Sequence, residues 1–213
     1  MTTHLARIGG SWAAMAAFTG AFALAGAGAG GPAAQRPCYT GEGKLELPAG
    51  YRAWVFVGAN LSPEYKSEAD APAARPRDER KARREDQFHH IYINPESYDA
   101  FRKTGEFPDP TMLVLEIFRA ETRDPKGILT GGKVEGRRVG LSVAVKDSRR
   151  PGGGVPWAYY SFDVTGNRGP LKPAPAHADR DCYACHLQHA SKDNVWVQFY
   201  PTLRSAKEKA AKR

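Results

Sequence analysis

Cys182 and Cys185 are separated by two residues, and His186 follows the second thiol directly. On a helical turn this spacing sets two sulfurs along one edge of a flat macrocycle and aims the next imidazole at its centre. Two thiols so placed can add to the two vinyl groups of a porphyrin, while the histidine supplies a nitrogen to the iron. The C-x-x-C-H pattern is therefore read as the attachment site of one covalent haem c, with Cys182 and Cys185 as thioether residues and His186 as the metal ligand. Two rival chemistries use the same pair. A structural zinc needs four ligands, usually two such pairs, and the third cysteine, Cys38, is remote in sequence. A thioredoxin-like redox pair normally sits early, between a strand and a helix, whereas this pair comes late, after a Pro-rich linker.

The sixth position on such an iron decides the function. A strong protein ligand there makes an electron carrier, which would hand electrons to a redox partner protein; an open position allows chemistry on small ligands. Candidate sixth ligands are few. Met112 is the sole methionine beyond the N-terminal region, and the histidines outside the motif are His89, His90, His177 and His189, with His4 in the leader. His189 lies three residues past His186, too close along one helix to reach the opposite haem face. His177 precedes the motif by five residues and is a poor candidate for the same reason.

The rest of the chain must position these groups. Hydrophobic residues make up 41% and charged residues 25% of the 213, values at which a globular core forms without a disulfide framework. The net charge of +8 is spread over mixed runs. Between Arg75 and Asp86, for instance, Arg77, Arg80 and Lys81 alternate with Asp78, Glu79 and Glu85, the pattern of a solvated segment. There is no zinc-finger spacing and no aromatic RNA-binding box, so no nucleic-acid partner is expected. At the N-terminus, His4 and Arg7 precede an Ala- and Gly-rich apolar stretch ending in small-residue cleavage sites such as Ala25-Gly26-Ala27. It is read as an export signal over residues 1–29, too poor in large apolar side chains for a stable span. The mature protein is then expected in the periplasm, with no stable membrane span.

Residues 30–44 form an N-terminal extension, 45–204 a cytochrome domain with an inserted loop over 61–87, and 205–213 a basic tail in the form of a frayed helix. Within the domain, strands are expected at 54–57, 88–93, 111–118, 139–145 and 157–164 from their β-branched and aromatic content. Asn94-Pro95-Glu96 is a helix start, with Asn as cap and Pro in the first turn, and Gly105 is its stop. The expected fold class is α+β: a mainly antiparallel β-sheet with a few packed helices, the haem lying on a helical C-x-x-C-H segment near the C-terminus.

Beyond the motif, the chain resembles the cytochrome P-460 family, which includes the cytochromes c′-beta. The resemblance runs from about Leu45 to Leu203. It is carried by Leu47-Pro48-Ala49-Gly50-Tyr51, Tyr92-Ile93-Asn94-Pro95-Glu96-Ser97-Tyr98, Lys103-Thr104-Gly105, Val145-Lys146-Asp147, Trp157-Ala158-Tyr159-Tyr160 and Val197-Gln198-Phe199-Tyr200-Pro201. It implies a homodimer with five-coordinate haem on His186 and chemistry on nitrogen species. Hydroxylamine-oxidising members carry a lysine cross-linked to the porphyrin; the c′-beta members lack it and bind nitric oxide or related gases. In this register the lysine position is Leu115, His89 falls where the family has a distal-pocket residue, and Ala178 falls at a pocket position that is acidic in some oxidising members. If Leu115 faces the haem, strand alternation puts Thr111, Leu113 and Ile117 on that face and turns Met112 away. The expectation is a cytochrome that binds nitric oxide or a related ligand at an open site bordered by His89 and Leu115. The alternatives are an electron carrier with His89 on the iron, and a hydroxylamine-oxidising oxidoreductase.

Overall fold

The structure, a computed structural model, describes residues 35–63, 86–165 and 170–212. The expected export signal, and most of the expected inserted loop, lie outside the described residues. No helix among the described residues is long and apolar enough to cross a membrane.

Five antiparallel strands form one sheet in sequence order: β1 (Val55–Leu61), β2 (Gln87–Ile93), β3 (Thr111–Glu121), β4 (Val134–Lys146) and β5 (Trp157–Ser161). Among the described residues three α-helices accompany it: α1 (Pro95–Thr104), α2 (Tyr183–His189) and α3 (Pro201–Ala210). This is the expected mainly antiparallel α+β architecture. Local signals set α1 as anticipated. Pro95 fills the first turn, where its missing N–H costs no hydrogen bond, and Gly105 closes the helix at φ 74°, where a side chain would be strained. Asn94, which precedes the helix, does not cap it with its side chain. Its Oδ1 instead accepts from the Met112 N–H at 2.9 Å, tying the helix start to β3.

The strands are longer in the middle of the sheet than their apolar patterns suggest. The first half of β4 is exposed and polar, and it is strand because it pairs with the end of β3, Ala120 with Glu135 and Glu121 with Val134. Conversely β5 stops at Ser161, three residues short of the expected Val164.

Side-chain alternation gives the sheet two buried faces. On one, Met112, Val114, Leu141, Val143 and Tyr160 pack beneath Leu45, Tyr51 and Trp54 of the N-terminal segment. On the other, Ile91, Ile93, Leu113, Trp157 and Tyr159 pack beneath Phe101 of α1 and Leu203 and Ala206 of α3. The C-terminal helix thus starts at Pro201, ahead of the expected tail boundary, and docks through Leu203, which is fully buried. Gly58 of β1 makes this docking possible: a Cβ there would meet Pro201 Cδ and Tyr200 Cα at 3.3 Å.

Candidate functional site

The second face of the sheet does not close over completely. Between it and α2 lies a cavity of about 220 Å³. Its floor comes from adjacent strands: Ile91 pairs with Leu115, Leu115 with Ser142, and Ser142 with Ser161. A parallel row, Leu113, Ala144 and Tyr159, continues the floor. His186 and Cys182 form part of the opposite wall, with Asn194, Trp196 and Tyr200.

Cys182 immediately precedes α2 and Cys185 lies within it. Both are free thiols, Cys182 half-buried and Cys185 exposed. Burial, then the nearby Asp181 carboxylate and the Cys185 thiol, push the Cys182 thiol above its usual range. His186 packs on Tyr159, ring centroids 4.5 Å apart, and meets Trp196 edge-on at 5.2 Å.

Two contacts fix the imidazole tautomer. The Asn194 carbonyl can only accept, so His186 Nδ1, 2.8 Å away, donates to it. The Trp196 Nε1–H can only donate, so His186 Nε2, at 3.1 Å, accepts. The ring is therefore a neutral Nδ1–H tautomer whose Nε2 lone pair is taken by the Trp196 indole N–H, which must turn aside before a Lewis acid can use it. Burial depresses the His186 pKa, with the Asn194 carbonyl acting weakly the other way.

The Asn194 carbonyl is itself held by a strained turn. Asp193 and Asn194 both have positive φ, 44° and 59°. Asp193 accepts from Lys146 Nζ at 2.7 Å and from Trp157 Nε1 at 3.0 Å, and Lys146 also donates to the Phe107 carbonyl. These ties to β4 and β5 hold the turn in a conformation that non-glycine residues rarely adopt. Lys146 entered the sequence reading only within the Val145-Lys146-Asp147 stretch, and Asp193 and Asn194 were not singled out. No local signal marks a backbone carbonyl as a histidine's partner.

The other expected site residues divide. Leu115 and Leu113 line the cavity, and Met112 is buried on the opposite face. His89 lies on the cavity side of β2, two residues from Ile91, but it pairs with Ile117 one row beyond the Leu115 row and does not line the cavity. Burial and the neighbouring His90 lower its pKa. His90 points to the other face, ringed by Phe56, Phe88 and Phe118 and bonded to Glu135 at 2.9 Å. Ala178 is exposed and stands outside the lining residues. His177, its neighbour, set aside on sequence grounds, does line the cavity.

These residues fit a porphyrin. The Cys182 thiol and an oriented imidazole line a cavity whose floor includes Ile91, Leu113, Leu115 and Ala144, and the second free thiol, Cys185, is exposed on the same short helix as His186. Among the described residues no group of three or more His, Cys, Asp or Glu side chains is arranged to hold a bare metal ion.

The family model for cytochrome P460 matches residues 48–197, well over half of the chain. No curated protein matches the chain significantly. The matched span contains all five strands, α1, α2 and the Asp193–Asn194 turn.

Proposed function

The chain belongs to the cytochrome P460 family, whose members carry covalently bound haem, and from that premise we propose that it is an exported mono-haem c-type cytochrome that binds nitric oxide or a related small nitrogen ligand. In this reading Cys182 and Cys185 would hold the haem covalently and His186 would supply an imidazole nitrogen to its iron. When bound, the haem supplies an iron able to take a small ligand at its sixth position. The protein's own residues do the rest. Asn194 fixes the His186 tautomer and raises its basicity as a ligand. Tyr159 and Trp196 restrict the ring's rotation, and Leu115 with its apolar neighbours makes the cavity floor apolar, which favours neutral diatomic ligands over charged ones.

The observation that carries this reading is His186 Nδ1 on the Asn194 carbonyl, in the wall of a cavity whose other described lining imidazole, His177, is engaged by Ser161 Oγ at 2.8 Å. His89 stands one row away and Met112 faces the other core, which argues against an electron carrier with a filled sixth site. Leucine at position 115 argues against the cross-linked hydroxylamine oxidase. Export to the periplasm follows from the leader read in residues 1–29, since haem c is attached outside the cytoplasm. A homodimer and a redox partner protein complete the proposal on family resemblance.

The test is the absorption spectrum of the purified holoprotein, oxidised and reduced, with and without nitric oxide. Retention of haem by the denatured chain would show covalent attachment. A high-spin ferrous spectrum that shifts with the gas is the expected result. A low-spin ferrous spectrum with sharp bands and no shift would overturn the open site and make the protein an electron carrier.

A further inference from the structure

Three polar side chains reach the cavity from its β4–β5 side, and haem attachment does not account for them. Ser142 and Ser161 are cross-strand partners whose Oγ atoms lie 3.2 Å apart. His177 Nε2 lies 2.8 Å from Ser161 Oγ. All three line the cavity that His186, Cys182 and Leu115 also line. The arrangement is anchored by the backbone as well as by side chains. The His177 N–H donates to the Tyr159 carbonyl at 2.8 Å, and Ala176 forms a β-bridge with Tyr160. The segment ahead of the haem motif is thereby laid along β5, and its imidazole is carried to Ser161. Around this polar corner the floor is apolar.

A hydroxyl donates one hydrogen bond and accepts others, so an imidazole–hydroxyl–hydroxyl row can be ordered in either direction. With His177 Nε2 protonated, it donates to Ser161, Ser161 donates to Ser142, and the Ser142 O–H is free to turn to the cavity. With the other tautomer, Ser142 donates to Ser161 and Ser161 to His177, and Ser142 offers a lone pair. We propose that the His177–Ser161–Ser142 row is the ligand-selecting element of the cavity, favouring small ligands that hydrogen-bond over those that do not. This rests on the reading of the cavity as an open haem position. Ser142 meets the ligand; Ser161 and His177 are positioning residues that orient its hydroxyl. The ligand class is then a small nitrogen–oxygen species with a hydrogen-bonding atom, held in an otherwise apolar cavity.

The holoprotein tests this with two probes, fluoride on the ferric form and carbon monoxide on the ferrous form. Fluoride accepts strong hydrogen bonds and carbon monoxide hardly does. Ser142→Ala and Ser161→Ala should each weaken fluoride binding roughly tenfold while carbon monoxide affinity stays within about twofold. Ser161→Thr keeps the hydroxyl and should restore fluoride affinity; His177→Ala should lower it through loss of orientation. Variants that lose neither probe, or lose both equally, would overturn the row's role. Wild-type protein that binds neither probe would overturn the open site, and the row's role with it, a pattern distinct from wild type binding both and the variants unchanged.

Discussion

His186 donates its Nδ1–H to the backbone carbonyl of Asn194 at 2.8 Å, and that carbonyl belongs to a turn with two consecutive residues at positive φ. The side chain proposed as the iron ligand is thus oriented by a main-chain atom, and the main chain is held by Asp193. Trp157 and Lys146 bind the two carboxylate oxygens of Asp193 from β5 and β4. The cavity wall and the sheet are therefore mechanically one unit.

Asp193→Ala should release this turn. The buried Trp157 indole N–H and the Lys146 ammonium lose their shared partner, a loss of about 1–3 kcal/mol. Urea unfolding reads that loss. Resonance Raman spectroscopy of the ferrous holoprotein should show a shifted or broadened iron–histidine stretch, because His186 loses a fixed acceptor. Asp193→Asn keeps an acceptor for Trp157 and should fall between the two. A variant as stable as wild type with an unshifted stretch would show that the turn holds itself.

Glu116, on the face of β3 opposite the cavity, is 1% exposed and charged. Burial alone pushes its pKa up, but hydrogen bonds from Arg52, Tyr51 and Arg138 outweigh this and hold it below the usual carboxylate range. A carboxylate whose folded pKa is depressed contributes stability above its unfolded pKa and loses it as pH falls through the folded value. Wild-type protein should therefore lose stability as the pH drops below about 4.5, and Glu116→Gln should show a shallower acid loss from a lower starting point. Removing the charge breaks hydrogen bonds to Arg52, whose side chain is 60% exposed, and to Arg138, so water screens the loss and the cost at neutral pH is about 1–2 kcal/mol. Denaturant midpoints at pH 7 and pH 3.5 compare the two proteins. Parallel pH profiles would remove Glu116 from the account.

His89→Ala distinguishes two geometries. Because His89 pairs with Ile117 one row beyond Leu115, its loss should change nitric oxide or carbon monoxide affinity by no more than about threefold. A change of spectrum from low spin to high spin in this variant would mean that His89 binds the iron in the holoprotein, against the proposed open site.

Leu203→Ala tests the docking of α3. The side chain is fully buried with Phe101, Ala206 and Val57 in one apolar cluster. Its truncation should cost about 2–5 kcal/mol, read by urea or thermal unfolding. A cost well below that range would mean that this helix frays, as its Lys-rich composition alone suggests.

Chemistry and local structure were legible where they depend on neighbours in sequence. Cys182, Cys185 and His186 are singled out by spacing, the spacing that the proposed covalent attachment to one porphyrin edge would require. Pro95 and Gly105 bound α1 because φ preferences act residue by residue. Leu115 and Met112 were correctly assigned to opposite faces by the two-residue period of a strand. What the sequence left open lies in groups that meet only through pairing of distant segments. The reach of β4 to Val134 comes from its β3 partner, because exposed polar residues become strand when a neighbouring edge supplies the hydrogen bonds. Cap signals alone did not reveal Asn94's bond to Met112, nor hydropathy the burial of Leu203. His177 was passed over because sequence distance to Cys182 was the only measure available; a backbone bond to Tyr159 carries it to the cavity. The polarity of the cavity was likewise a tertiary decision. Ser142 and Ser161 are unremarkable strand residues until the register sets their hydroxyls face to face, and hydrogen bonds of about 3 Å form only between atoms that the fold has already brought together.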